Sequence, residues 1–373
     1  MTVIIFIILL AVLVFVHELG HFLIAKKFGI RVDEFGIGFP PRLWSFKRGE
    51  TVYSFNLIPF GGFVKIFGEN PQEENIEENI TEETITIEER HRNLSFKARP
   101  IQGAVLAGGI LFNIIFAWLL ISVGFMFGMP TSTSSALREK IENPKLIVAG
   151  VYPNSPASEA GLKFGDHVLS IRSESGKIFE GGSAEDGTAF IMEESNGKLY
   201  ISYERSGENK IAEVTPALGI IKDRRAIGIT MDEIGTLKLP IHKAFIEGGI
   251  ATARLTRIIT VDLGTFIKDA FTGNADLAQI TGPIGIAGLV GEARDMGIAY
   301  LISFAAFISL NLAIINLIPF PALDGGRLLF LAIEGIKRSP INPKVANALN
   351  GAGFALLILL MLVITYNDVI RLF

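Results

Sequence analysis

Phe15-Val16-His17-Glu18-Leu19-Gly20-His21-Phe22-Leu23-Ile24 closes an apolar run that begins at residue 2 and ends at Lys26 and Lys27. Two histidines and a glutamate thus lie inside a segment long enough to cross about 30 Å of hydrocarbon. On a helix, positions i and i+4 stand one turn apart on one face, so both imidazoles can reach one tetrahedral ion while Glu18 faces the same cleft as a base. At 1.5 Å per residue the two imidazoles sit roughly 7–14 Å below the Lys26 end. A charge at the bilayer centre costs about 3 kcal/mol even on insertion scales, so these three side chains demand partners.

The rest of the composition agrees with a membrane setting. Of 373 residues 49% are hydrophobic, and the mean hydropathy is +0.44, so part of the chain is expected in lipid. A net charge of -4 without a dominant basic stretch argues against a nucleic-acid partner. Zero cysteines exclude disulfides and thiolate chemistry, which leaves His and carboxylate as strong metal ligands. A cleaved signal peptide fits the first segment poorly, because it has no basic n-region and carries charges within it.

Four spans are expected, at 1–25, 101–129, 299–326 and 350–371. Lys26, Lys27, Arg31, Arg90, Arg92, Lys97 and Arg99 flank the first two spans, and Lys337, Arg338 and Lys344 precede the fourth, which puts those loops in the cytoplasm. Both chain ends and the segment 130–298 then lie outside, in the periplasm or its equivalent. The predicted fold class is a multi-pass α-helical membrane protein with a cytoplasmic-side, membrane-associated β-hairpin and an inserted extracytoplasmic α+β domain.

Within the loop at 26–100, residues 31–68 alternate without a helical period, and Pro59-Phe60-Gly61-Gly62 makes a turn, so a β-hairpin against or within the membrane is expected. The Glu-rich stretch 69–89 reads as a solvated, flexible excursion. At 133–236, Ser155-Pro156 reads as a helix start, Gly161 as its end and Val168–Ile171 as a strand. Gly161-Leu162-Lys163-Phe164-Gly165-Asp166-His167-Val168-Leu169 looks like a PDZ domain, a module that adds extended peptides or C-termini to a sheet edge; a small α+β domain without a ligand is the alternative. Residues 240–298 read as an amphipathic segment on the membrane surface, or as a linker helix packed on that domain.

Two histidines require a third protein ligand and an open position. The third span ends in Asn316-Leu317-Ile318-Pro319-Phe320-Pro321-Ala322-Leu323-Asp324-Gly325-Gly326, where the prolines break the helix and the glycines are expected to turn the chain after Asp324. Asp324 then lies at a depth that matches His17 and His21. These paired motifs, with four spans and a PDZ-like insertion, resemble the bacterial branch of the site-2 protease family of intramembrane zinc metalloproteases.

The resemblance implies Zn2+ held by His17, His21 and Asp324, Glu18 as general base, and Asn316 in contact with substrate or the developing oxyanion. It implies that Gly61, Gly62, Phe63 and Val64 belong to a membrane-re-entrant, substrate-binding β-loop. It implies substrates that are transmembrane proteins, among them anti-sigma factors and signal-peptide remnants, and a peptide partner for the PDZ-like domain. Gly282-Pro283 matches a segment the family carries before its third span. One departure stands in the second span: Gly108-Gly109-Ile110-Leu111-Phe112-Asn113 keeps the glycines and Asn113 but lacks the family's proline, so a straighter helix is expected. Two rival readings are a membrane zinc transporter, which gives Glu18 no role as a base, and a non-catalytic scaffold for membrane proteins.

Overall fold

The computed structural model describes residues 1–69, 86–133, 137–205, 207–221, 224–273 and 281–370. Apart from its ends, the acidic stretch 69–89 lies outside them. In chain order the elements begin with α1 (Thr2–Lys27), β1 (Val32–Arg48), β2 (Thr51–Ile66), α2 (Ile87–Arg92), α3 (Arg99–Leu106) and α4 (Gly108–Phe127). There follow β3 (Met129–Ser132), β4 (Ile141–Val151), α5 (Pro156–Glu159), β5 (His167–Ser173), β6 (Ile178–Phe179), α6 (Ala184–Glu193), β7 (Leu199–Arg205) and β8 (Glu208–Val214). The chain continues with β9 (Ala217–Ile221), β10 (Arg224–Ala226), β11 (Ile229–Leu237), α7 (Ile241–Thr272), α8 (Pro283–Met296), α9 (Ile298–Leu317), α10 (Asp324–Lys337) and α11 (Pro343–Ile370). Among them α1, α4, α9 and α11 are long and apolar enough to cross a membrane, which agrees with the four expected spans.

Two compact units make up the chain. The first comprises Met1–Leu120, Gly249–Ala287 and Ala305–Phe373. In it the residues read as a hairpin fold into more than a hairpin. Gly38 and Gly61 take φ of +80° and +101°, and the two strands bend near them, so that β1 and β2 each contribute two stretches. The stretch 34–37 lies between two parts of β2, with Glu34 opposite both Val52 and Lys65 and Ile37 opposite both Phe55 and Gly62. Residues 42–48 pair with 51–56 on the far side.

The face carrying Phe35 and Tyr53 packs on α1, where Phe15 and Phe22 meet the Phe35 ring edge-on at 5.6 and 5.3 Å. At one end of the sheet Glu50 pairs with Lys26 and Arg92. At the other, Gly62 lies against α1, so close that a Cβ there would stand 3.5 Å from Glu18 Cγ. Farther out on the sheet Phe39, Leu43, Trp44, Leu57 and Ile58 are exposed.

A second tie in this unit explains the Gly282-Pro283 segment. The Gly282 and Gly285 amides donate to the buried Asp368 carboxylate of α11 at 3.1 and 2.9 Å. Helix starts leave such amides without partners, and a carboxylate at that end satisfies them and the helix dipole together.

The other unit comprises Ile121–Gly248 and Gly288–Phe304. Its main sheet runs β3-β11-β4-β5-β7-β8, with β6 beside β5. Alternate residues Leu199, Ile201 and Tyr203 are buried with Val168, Ile171, Val148 and Val214, as the two-residue period of a half-buried strand requires. Ser155 caps α5, its Oγ accepting from the Ser158 amide at 3.2 Å, and Gly161 ends the turn at φ +80°.

The run Ala226–Met231 reads as one strand in the sequence, but it breaks at Gly228, where φ is +83° and a Cβ would stand 2.3 Å from the Ser155 Cβ. Several elements have no counterpart in the sequence reading, among them β4 and α6. The latter carried a usable signal, since Ser183 and Asp186 form a reciprocal capping box.

Asp166, only 1% exposed, receives Arg205 Nε at 2.6 Å and Nη2 at 2.7 Å, while Arg205 also donates to the Gly161 carbonyl. The pair joins the α5–β5 turn to β7. Arg205→Met removes the partner of a buried carboxylate, and breaking such a pair from one side costs about 3 kcal/mol. The expected outcome is a lower midpoint for unfolding of this unit in a denaturant titration, with the helical signal of the spans retained.

Candidate metal centre

Three donor atoms from distant parts of the sequence converge in the first unit. His17 Nε2 stands 3.0 Å from Asp324 Oδ2, and His21 Nε2 stands 3.4 Å from it. The two imidazole nitrogens are 3.3 Å apart. Ligand atoms about 2.0–2.1 Å from a tetrahedral ion stand about 3.3 Å from one another, so the three separations fit a single zinc. His17 and His21 are buried at 8% exposure each, and Asp324 Oδ2 is buried without a well-formed hydrogen bond. A buried carboxylate oxygen in that state between two imidazoles is what a cation would satisfy.

The approach of α1 to the second span makes room for the ligands. A Cβ on Gly20 would lie 2.3 Å from the Gly108 carbonyl oxygen, and one on Gly108 would lie 2.8 Å from the Gly20 oxygen. One on Gly109 would lie 2.4 Å from His21 Nε2 and 2.5 Å from His17 Cε1. The two backbones therefore touch, and the imidazoles fill the space that a side chain at 109 would take. Small residues serve this purpose between membrane helices, where lipid offers no competing hydrophobic drive.

Each imidazole is held from behind. His21 Nδ1 donates to the Val105 carbonyl at 2.8 Å, and His17 Nδ1 lies 3.2 Å from Asn113 Nδ2. Fixing the second ring nitrogen orients the first toward a metal. Val105 belongs to the last turn of α3, which ends at Ala107 before α4 begins. The second span is thus interrupted even without the family's proline, which corrects the straight helix expected there. The interruption falls beside the glycine contact and the Val105 carbonyl given to His21, and the sequence carried no signal for Val105.

Asp324 opens α10 instead of preceding a turn, which corrects the reading of its two glycines. A Cβ on Gly325 or Gly326 would stand 2.2 Å from the carbonyl oxygens of Ile318 or Phe320. The glycines are required because the helix start folds back on the loop that leads into it. Ala322 in that loop has φ +74°, a conformation that costs a non-glycine residue roughly 1–2 kcal/mol. It is held by its amide donating to Asn350 Oδ1 at 3.2 Å, and Gly353 of α11 lets Pro321 approach closely. The last span thereby sets the position of a ligand it does not contain.

Of the other residues singled out in the sequence, Glu18 is half-buried beside Gly62, and Gly61, Gly62, Phe63 and Val64 lie on the stretch of β2 that borders it. Asn316 is half-buried in the last turn of α9. The hydrogen bonds that hold the two imidazoles come from Val105 and Asn113 instead.

The profile of peptidase family M50 matches residues 5–360. The chain belongs to peptidase family M50. Among curated proteins it is 32% identical to the regulator of sigma-W protease RasP of Bacillus subtilis (strain 168), over all of this chain and 99% of that protein. It is 31% identical to the zinc metalloprotease RasP of Geobacillus kaustophilus (strain HTA426), covering 100% of this chain and 98% of that one. A putative zinc metalloprotease of Clostridium perfringens is 35% identical over 96% of this chain and 95% of its own length. The site-2 protease resemblance, the metalloprotease reading and the zinc cofactor are borne out with the family.

Gly109→Ala is expected to empty the site without unfolding the protein. Zinc content measured on the purified, monodisperse variant should fall well below one ion per chain. A full complement would mean that the imidazoles have room that the glycine contact denies them.

Proposed function

We propose that this chain is an intramembrane zinc metalloprotease of a bacterial cytoplasmic membrane that hydrolyses peptide bonds within transmembrane segments of other proteins, with His17, His21 and Asp324 as the zinc ligands. The carrying observation is the convergence of their three donor atoms within 4.8 Å of one another, two of them from a helix apolar enough to cross a membrane. Substrates of the anti-sigma-factor and signal-peptide-remnant kind fit the RasP relatives, one of which is named regulator of sigma-W protease.

Bound zinc supplies Lewis acidity, which activates water and polarises a carbonyl. Glu18 takes a proton from the attacking water and returns it to the leaving amine nitrogen. Asn316 contacts the substrate or the oxygen on which charge develops. A substrate helix has its carbonyls engaged in i to i+4 bonds and must be unwound before attack. The β2 stretch with Gly61, Gly62, Phe63 and Val64 is suited to hold the unwound segment as an added strand. Support for this comes from its edge position, since Gly62, Phe63 and Val64 pair with 35–37 and with no other strand among the described residues, and from the contact of Gly62 with Glu18. The exposed aromatic and aliphatic residues on the same sheet support a re-entrant position in the bilayer, where backbone groups must find partners within the protein.

The residues read as 133–236 act as a PDZ-like domain that binds an extended peptide end or excludes substrates with bulky outer domains. Residues 234–237 of β11 pair with β3, whereas 229–232 pair with β4 alone among the described residues, and α6 lies beside them with Met231 against Gly187. A half-open strand beside a helix suits peptide addition. The basic flanks of the spans support a position of this domain and both chain ends on the outer side of the membrane.

A single assay on a one-span substrate in liposomes tests these roles, with zinc content measured in parallel. Glu18→Gln should keep its zinc and lose cleavage by at least about a hundredfold, the lower range of a general base; cleavage at the parent rate would remove Glu18 from the chemistry. Val64→Pro should keep zinc and cut more slowly, and an unchanged rate would leave the added strand without support. Deleting 133–236 should widen the set of substrates cut, or abolish cleavage of those with a free outer C-terminus. An identical substrate set would dispose of both versions of the outer domain.

A further inference from the structure

We infer that Asn113 is a positioning residue for the metal ligand His17, accepting its Nδ1–H through the side-chain amide oxygen whenever Nε2 serves as a ligand. The inference rests on the zinc reading of the His17, His21 and Asp324 group.

An imidazole that ligates through one nitrogen must carry its proton on the other. For His21 this is settled by the protein alone. Its Nδ1 faces the Val105 carbonyl at 2.8 Å, and a carbonyl only accepts, so the proton sits on Nδ1 and Nε2 presents a lone pair. His17 differs, because its Nδ1 faces an amide side chain at 3.2 Å. Such a group donates through nitrogen and accepts through oxygen, and so matches either tautomer.

In the arrangement described, Asn113 Nδ2 is the near atom, and Nδ1 accepts from it. His17 then carries its proton on Nε2, where the His21 Nε2 lone pair at 3.3 Å accepts it, with Asp324 Oδ2 standing 3.0 Å away. Asn113 Oδ1 is left buried without a hydrogen-bond partner among the described residues. Ligation through Nε2 moves the proton to Nδ1, where it would confront the amide N–H. A half-turn of the amide about its last side-chain bond brings Oδ1 to that place and gives the orphaned oxygen a donor.

The position of the amide is fixed by packing. Asn113 has no exposed surface, and its backbone carbonyl receives the Ser309 hydroxyl of α9 at 2.8 Å. Three spans thus meet at this residue: α1 through His17, the second through Asn113 itself, the third through Ser309.

Two substitutions separate acceptance from bulk. Leucine has nearly the size of asparagine and no polar atom, while aspartate can accept from Nδ1–H and cannot donate. Zinc affinity is read on the full-length, detergent-purified protein by competition with a chelator. The parent should bind one zinc, Asn113→Asp should hold it within a few-fold of the parent, and Asn113→Leu should hold it about 10–100-fold more weakly, the usual effect of losing such a partner.

Loss of affinity in Asn113→Asp as large as in Asn113→Leu would overturn the inference, as would parental affinity in Asn113→Leu. If the leucine variant does not purify as a monodisperse protein, the aspartate variant decides alone: retained affinity supports acceptance by oxygen, and a tenfold loss overturns it. A parent that binds no zinc would refute the metal reading itself, and the inference with it.

Discussion

The backbone contact between α1 and the second span governs this centre. Gly20 and Gly108 bring two helices so near that neither tolerates a Cβ, and Gly109 leaves room for two imidazoles in the same gap. A wider spacing would let lipid or another side chain into the gap and carry the ring nitrogens away from their partners. At this spacing His21 reaches the Val105 carbonyl and His17 reaches Asn113. Each histidine is fixed by one neighbour behind it and presents its other nitrogen to Asp324. The cost of polar groups at membrane depth is met by a closed set of contacts.

Asp324 reaches that set by a different route. The loop before it is tied to α11 by Asn350 and by the close approach at Gly353, and the strained backbone at Ala322 persists because these contacts hold it. Gly325 and Gly326 then let a helix begin directly under the loop. Asp324 stands in the first turn of that helix, where the dipole favours a negative charge whether or not a cation is bound. Of the four apolar helices only α1 carries ligand candidates, α4, α9 and α11 contribute support, and Asp324 stands on α10.

The sheet between the first two spans obeys the same accounting. Its two long strands bend and pair with each other twice over, so that 34–37 is bonded on both sides. Its two outer stretches are 62–66 and 42–48, and Gly62 of the first lies against Glu18. Within a bilayer a strand border must find its hydrogen-bond partners in protein, which is the constraint behind the added-strand proposal.

Much of this was legible without coordinates. Four apolar runs, the spacing His17-x-x-x-His21 and the proline-glycine sequence around Asp324 carry the membrane architecture and the candidate ligands, because hydrophobic length and helical periodicity are local properties. The capping of α5 by Ser155 is local for the same reason. The doubled sheet, the broken second span, the helix at Asp324 and the partners Val105, Asn113 and Asp368 were not, because each depends on which backbone comes near which. A glycine in sequence reads equally as a turn, a flexible joint or a contact surface, and only the neighbour that would meet its missing Cβ tells them apart. The sequence by itself determined which atoms can bind zinc; the tertiary structure decided which neighbours aim them, since hydrogen-bond direction and backbone proximity arise between segments and not along them.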